Sequence, residues 1–204
     1  MPQRVVDEHM RAYYEARASE YDDWWLGTGR FARRDRPGWN EEVDELVALL
    51  GGLPPARTLD VACGTGFLTR HLPGQVTGLD QSPAMVAIAA RRLAGGAVVR
   101  GDAVPLPFPE GAFERLLTSH FYGHLLPGER EAFVAEARRV ASSLVVVDSA
   151  VRADVEPEEW QERRLEDGSA HRVYKRFFTG PRLADELGGG EVLHAGHWFV
   201  VVAA

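Results

Sequence analysis

Short apolar runs alternate with helically spaced apolar positions through most of this 204-residue chain. The clearest helical stretch is residues 41–50, EEVDELVALL. There Val43, Leu46, Val47, Leu49 and Leu50 recur at the spacing of one helix face, and Gly51, Gly52, Pro54 and Pro55 end the run. Residues 3–18 also suit a helix. Residues 24–39, WWLGTGRFARRDRPGW, read as a loop rich in glycine and aromatics. From Arg57 the pattern becomes strand, turn and helix, repeated. TLDVA, QVTGLD, AVVRGD, FERLLTS and SLVVVDSA are the strand candidates. FLTRHL starts a helix that Pro73 and Gly74 stop. Ser82 caps another, with Pro83 in its first turn and Met85, Ile88, Ala89 and Leu93 on its buried face. GEREAFVAEARRV is a further helix. Such alternation predicts a parallel sheet with helices on both faces.

The last fifty residues depart from that rhythm. Asp167-Gly168 separates two mixed runs within residues 160–178, which predicts a hairpin able to cover the open edge of a site. TGPRLADELGG predicts a last helix. EVLHAG and HWFVVVAA, joined tightly at Gly196, predict an antiparallel pair of strands.

Composition removes several classes of function. The net charge of −7 disfavours a protein that grips a nucleic-acid backbone, because such binding draws on phosphate neutralisation. Arg33, Arg34 and Arg36 form one short basic cluster that a solvated face would explain. Cys63 is the only cysteine, so no intrachain disulfide is possible. No apolar run approaches the ~20 residues of a membrane span, and the N-terminus lacks the apolar core of a secretory signal; a cytoplasmic location is expected. Lys175 is the only lysine among 23 basic residues, which reads as compositional bias.

The chemistry concentrates at three strand ends. In LDVACGTGFLT a strand carrying Asp60 runs through Gly64 and Gly66, where missing side chains let the backbone approach a ligand. Asp80 ends the next strand in GLDQSPAMV; a carboxylate there can accept from ribose hydroxyls. Asp102 ends the third in GDAVPLPF, where it can accept from an adenine amino group while Ala103 offers a backbone amide. Open α/β sheets bind ligands in such a crevice. Three acids suit a ligand carrying a sulfonium and an ammonium and disfavour a pyrophosphate. A nicotinamide-dependent oxidoreductase would need a third glycine near position 69, where Thr69 stands.

The phrases DVACGTG, GLDQSPAMV and GDAVPLPFPEGAFERLLTSHFYGHL resemble successive motifs of class I S-adenosylmethionine (SAM)-dependent methyltransferases. The resemblance is strongest to the small-molecule enzymes related to the ubiquinone and menaquinone C-methyltransferases, over about residues 40–150. YYEARASEYDDWW resembles that family's N-terminal cap. The resemblance implies a Rossmann-like, seven-stranded, mostly parallel α/β sheet with an antiparallel last strand. It also implies SAM as cofactor, held by Asp60, Ala62, Gly64 and Gly66 of the first motif and by Asp80 with Gln81. Asp102 and Ala103 would hold the adenine with Met85 against it, and Tyr13 and Tyr21 would form a lid. Residues 1–204 then form one domain: a cap or lid over 1–40, a SAM-binding core over 41–150, an insert over 151–180, and a last helix and strand pair over 181–204.

His120 and His124 follow the fourth strand. His120 is the catalytic candidate, as a general base or a substrate contact; the alternative is a hydrogen bond to a neighbouring loop, the reading preferred for His124. His171, His194 and His197 are scattered, and no cluster has metal-ligand spacing, so no metal is expected. The expected reaction is methyl transfer to a small molecule. A non-catalytic SAM-binding module would keep Asp80 and Asp102 but lack an open substrate pocket. A nucleic-acid methyltransferase would carry an Asn/Asp-Pro-Pro-aromatic phrase where SHFYGHL stands.

Overall fold

A computed structural model describes residues 8–93 and 95–204. Helix α1 (Glu8–Arg17) takes up the described part of the expected N-terminal helix; residues 3–7 lie outside the described residues. Short α2 (Asp22–Leu26) follows, then α3 (Trp39–Gly51). The core runs β1 (Ala56–Val61), β2 (Gly74–Asp80), α4 (Pro83–Arg92), β3 (Ala97–Arg100), β4 (Phe113–Ser119), α5 (Pro127–Val140) and β5 (Ala141–Ser149). The hairpin β6 (Glu158–Arg164) and β7 (Ala170–Arg176) comes next, then α6 (Gly180–Glu186), β8 (Glu191–Ala195) and β9 (Phe199–Ala203).

Seven strands form one sheet in the order β3-β2-β1-β4-β5-β9-β8. The first five are mutually parallel, and β9 lies antiparallel between β5 and β8. The strand period of two divides the core. On β5, Leu144 and Val146 pack with Phe133, Ala137 and Val140 of α5, while Val145 and Val147 pack with Val43, Leu46 and Leu50 of α3. On β9, Val200 and Val202 join the first group and Phe199 and Val201 the second. Each such buried side chain contributes roughly 1.5–3 kcal/mol. Among the described residues no helix is long and apolar enough to cross a membrane.

Three local expectations need correction. FLTRHL forms only one 3₁₀ turn, Thr69–His71. Helix nucleation is costly, and Pro73 leaves too few residues beyond Gly66 to repay it. Residues 24–39 are not all loop. Asp22 and Asp23 sit in the first turn of α2, and Gly27 stops it with φ 65°. Burial of Trp25 rather than periodicity holds this helix: its ring stacks on Phe67 at 5.2 Å, and its carbonyl accepts from Trp39 Nε1 at 2.9 Å. Finally, β3 ends at Arg100, so Asp102 lies two residues beyond the strand.

The β6–β7 hairpin is a separate two-stranded sheet. Its turn carries Gly168 at φ 84°, and Ser169 N donates to Asp167 Oδ1 at 2.8 Å. Leu165 and Val173 pack it against Met10 and Tyr13 of α1. A buried pair anchors its base: the Lys175 ammonium donates to Asp148 of β5, whose Oδ2 accepts from Gly123 N at 2.7 Å. A Cβ at Gly123 would stand 2.6 Å from Arg176 O and 2.9 Å from Asp148 Oδ1.

Candidate active site

The turn after β1 begins in a left-handed conformation, with Ala62 at φ 58° and Gly64 at φ 56°. For alanine that conformation costs about 1–2 kcal/mol. It aims the backbone of residues 62–64 across the carboxyl end of the sheet, into a cleft lined by Ala62, Gly64, Asp80, Gln81, Met85, Asp102 and Ala103. With Tyr21, which also lines it, eight of the residues picked from sequence for the cofactor site therefore share one cleft. Gly66 stands behind it, where a Cβ would touch Ala89 and Leu93 at 3.5 Å.

Asp80 Oδ2 accepts from Gly64 N and Oδ1 from Ser82 N, each at 2.9 Å. Burial nonetheless pushes its carboxyl up to about 6. Asp60 does not line the cleft. It accepts from the Thr69 hydroxyl at 2.6 Å, while its Oδ1 is buried without a partner. Burial raises it to about 7, and the neighbouring Asp80 charge adds to the shift. Cys63, in the same turn, is buried and its thiol is pushed up by desolvation, as suits a packing residue.

The N-terminal arm covers this turn. The Tyr21 ring lies 3.4 Å from where a Gly64 Cβ would be. Two carboxylates hold the arm down. Asp22 accepts from the Thr65 hydroxyl at 2.6 Å and pairs with Arg92; Glu15 accepts from the Ser82 hydroxyl and from Ala84 N at 3.2 Å. Tyr14 and Tyr21 line the cleft, whereas Tyr13 lines only a second, larger cavity.

That second cavity, of about 570 Å³, lies between the arm, residues 30–39 and the hairpin. Tyr14, Tyr21, His120 and His124 line both spaces. His120 has φ 53°. Its ring lies against Trp24 and Trp25 at 4.8 and 5.2 Å, and its Nδ1 is 3.3 Å from Ser149 Oγ. Its Nε2 is buried with no partner. Burial, aided by the Lys175 charge, pushes the imidazole down to about 3, so it is neutral at any ordinary pH.

His124 is tied at both ends. A carbonyl can only accept, so Nδ1 donates to Tyr174 O at 2.6 Å, and Nε2 then accepts from the Tyr14 hydroxyl at 2.9 Å. His124 thus bonds β7 and α1 rather than the neighbouring loop expected from sequence. It joins arm, core and hairpin at one ring. Sequence reading missed Tyr14, Ser119 and Phe121, all of which line the cleft. It also missed the Lys175–Asp148 pair, whose one visible signal was the solitary lysine.

A family model described as methyltransferase domain matches residues 59–144. A solved structure of DhpI in complex with SAM and HEP superposes with a TM-score of 0.79 and 25% identity, over 100% of this chain and 99% of that one. Residues 59–144 thus match a methyltransferase domain, and the chain has the fold of the class I SAM-dependent methyltransferases. It is 35% identical over 107 residues to the demethylmenaquinone methyltransferase of Thermotoga maritima, covering 50% of this chain and 44% of that relative. It is 34% identical over 117 residues to the ajmaline N-methyltransferase of Rauvolfia serpentina, covering 52% of this chain and 40% of the relative. The matches thus span less than half the length of these curated relatives. Within the methyltransferase fold, the turn, the strand ends and α4 fall inside the matched region. The arm and the hairpin fall outside it.

Proposed function

We propose that this chain transfers the methyl group of SAM to a small-molecule acceptor. The observation that carries the reading is the pair of joined spaces: an acid-lined cleft at the sheet end that shares Tyr14, Tyr21, His120 and His124 with a 570 Å³ cavity. A non-catalytic SAM-binding module has no use for the second space. The cleft suits a cationic ligand, because the carboxylates of Asp80 and Asp102 line it. When bound, SAM would supply an activated methyl group whose bond to a sulfonium breaks as the methyl bonds to the acceptor, leaving a neutral thioether.

The chain's own residues bind, orient and exclude water. Asp80 has lone pairs to spare for ribose hydroxyls, and Asp102 and Ala103 would hold the adenine beside Met85. Tyr14 and Tyr21 shield the methyl end; aligned reactants in a dry site supply most of the rate in such a displacement. With its low proton affinity, His120 acts better as a neutral hydrogen-bonding contact than as a general base, which works best near the operating pH.

The test is to incubate the protein with SAM and a metabolite extract and search by mass spectrometry for products heavier by one methylene. Appearance of such a product together with S-adenosylhomocysteine (SAH) is expected. Calorimetry showing binding of a nicotinamide dinucleotide and none of SAM would overturn the proposal.

A further inference from the structure

The larger cavity is cationic in an acidic protein. Seven arginines and one lysine line it, against two glutamates, although the chain carries a net charge of −7. Four of the eight cations are paired with carboxylates, and a fifth, Arg36, is held by a backbone carbonyl. Lys175 pairs with Asp148, Arg152 with Asp154, Arg164 with Glu162 and Arg30 with Glu20, and Arg36 donates to Trp24 O.

Arg17, Arg34 and Arg163, like Arg36, have no carboxylate within 4 Å among the described residues, but Arg36 is turned to the Trp24 carbonyl. Arg17 is buried, and its guanidinium lies over the rings of Tyr13, Tyr21 and Phe31 at 4.9–5.7 Å. Arg34 lies 4.8 Å over Phe31. Arg163 donates to Gln161 Oε1 at 2.8 Å and to the Tyr14 hydroxyl at 3.4 Å. A buried guanidinium without a counter-charge is costly, which applies to Arg17; Arg163 is half-buried and Arg34 exposed, and the three facing one space repel one another. Desolvation lowers the proton affinity of Arg34, and the charges of Arg30, Arg163 and Arg17 lower it further.

We infer that the acceptor carries a phosphoryl-type oxyanion dianion, seated on Arg17, Arg34 and Arg163 beside the methyl-transfer point. This rests on the methyltransferase reading above and adds the acceptor's chemical class. Planar guanidinium forks match the paired oxygens of an oxyacid. Three uncompensated positive charges exceed what one carboxylate neutralises, which favours a dianion. The location ties the anion to the acceptor. Arg163 bonds Tyr14 and Arg17 lies over Tyr21, both of which line the cofactor cleft as well. The basic cluster that looked like a solvated face in the sequence is divided accordingly: Arg34 and Arg36 turn into the cavity, and Arg33 does not line it.

The test is a calorimetric titration of the full chain, saturated with SAH, with inorganic phosphate and separately with acetate at pH 8. Phosphate is expected to bind, and acetate at least tenfold more weakly. Arg34→Gln and Arg163→Gln should each weaken phosphate about tenfold or more while leaving SAH affinity within twofold; Arg33→Gln should change neither. Arg17 is buried, so Arg17→Lys, which keeps the charge, is the variant for that position, with a circular dichroism spectrum as its folding control. SAH binding without phosphate binding would overturn the inference and leave the methyltransferase reading standing. Absence of SAH binding would strike at that reading instead. Acetate binding as tightly as phosphate would overturn the dianion. Loss of SAH affinity in the arginine variants would reassign the cluster to the cofactor's carboxylate.

Discussion

The two joined spaces are built in opposite ways. The floor of the cofactor cleft is made of backbone turns and short side chains at the ends of β1 and β2, set by neighbours in one sheet beneath the arm, and it carries Asp80 and Asp102. The larger cavity is made of long side chains from the arm and the hairpin, elements that meet only in three dimensions, and it is basic. The difference separates a fixed reagent from a variable one. A cofactor common to a family can be held by a contiguous motif. An acceptor particular to one protein is held by whatever the peripheral segments bring together.

The largest expected effect tests where the arm ends and the core begins. Trp25→Ala removes a ring that is 2% exposed and packs with Phe67, Trp39 and Phe199. Loss of about 3–5 kcal/mol of stability is expected in urea unfolding. A loss under about 1 kcal/mol would mean that α2 belongs to a detachable lid, with Tyr14 and Tyr21. For the same reason, deleting residues 1–25 should unfold the chain.

Next in size is the acid side. Asp80→Ala should weaken SAM binding by about 1.5–3 kcal/mol for each hydrogen bond lost, read by calorimetry. The pH dependence sharpens this. Asp80 is raised to about 6, so the folded state without ligand holds its proton below that pH, and ionised Asp80 is the form that accepts two ribose hydrogens. SAM affinity should therefore rise with pH through about 6, close to tenfold per unit on the acid side. The stability of the ligand-free protein should move the other way. Asp60 and Asp80 bind protons more tightly folded than unfolded, so stability falls as pH rises from about 4 to about 7. A flat SAM affinity between pH 5 and 7 would remove Asp80 from the cofactor.

The smallest effect expected is at the shared wall. His120→Asn should leave SAM affinity within a factor of two and lower turnover by roughly tenfold, as for the loss of one orienting hydrogen bond. Because His120 is neutral above about pH 3, the wild type should show no acidic limb assignable to it between pH 5 and 8. A limb near pH 6.5 that disappears in the variant would restore the general-base role.

Most of the fold was legible in the sequence, because burial on both faces of the sheet imposes uniform apolar strands and glycines and prolines mark their ends. The glycine turn, Asp80 and Asp102 were legible for the same reason: their geometry is local. Short helices held by a single buried ring, such as α2 around Trp25, leave no periodic trace. The cavity's side chains come from positions 17, 34, 120, 149, 163 and 175, brought together by arm, sheet and hairpin, and no window of sequence contains the pattern. Tyr13 illustrates the limit: helical phase alone did not decide that Tyr14, its neighbour, faces the cleft.

The missing side chain at Gly123 has a consequence for how this protein can diverge. The base of the hairpin fits against a spot with no room for a single methyl group, wedged between Arg176 O, Asp148 and Lys175. Its far end, Asp167-Gly168, is exposed, and a Cβ on Gly168 would meet nothing within 4 Å. The insert is therefore keyed at one end and open at the other. Changes in the length or charge of its tip can reshape the acceptor cavity without disturbing the core, while almost any replacement at position 123 would pry the whole insert loose. One glycine thus separates the part of the chain that is free to acquire new acceptors from the part that is not.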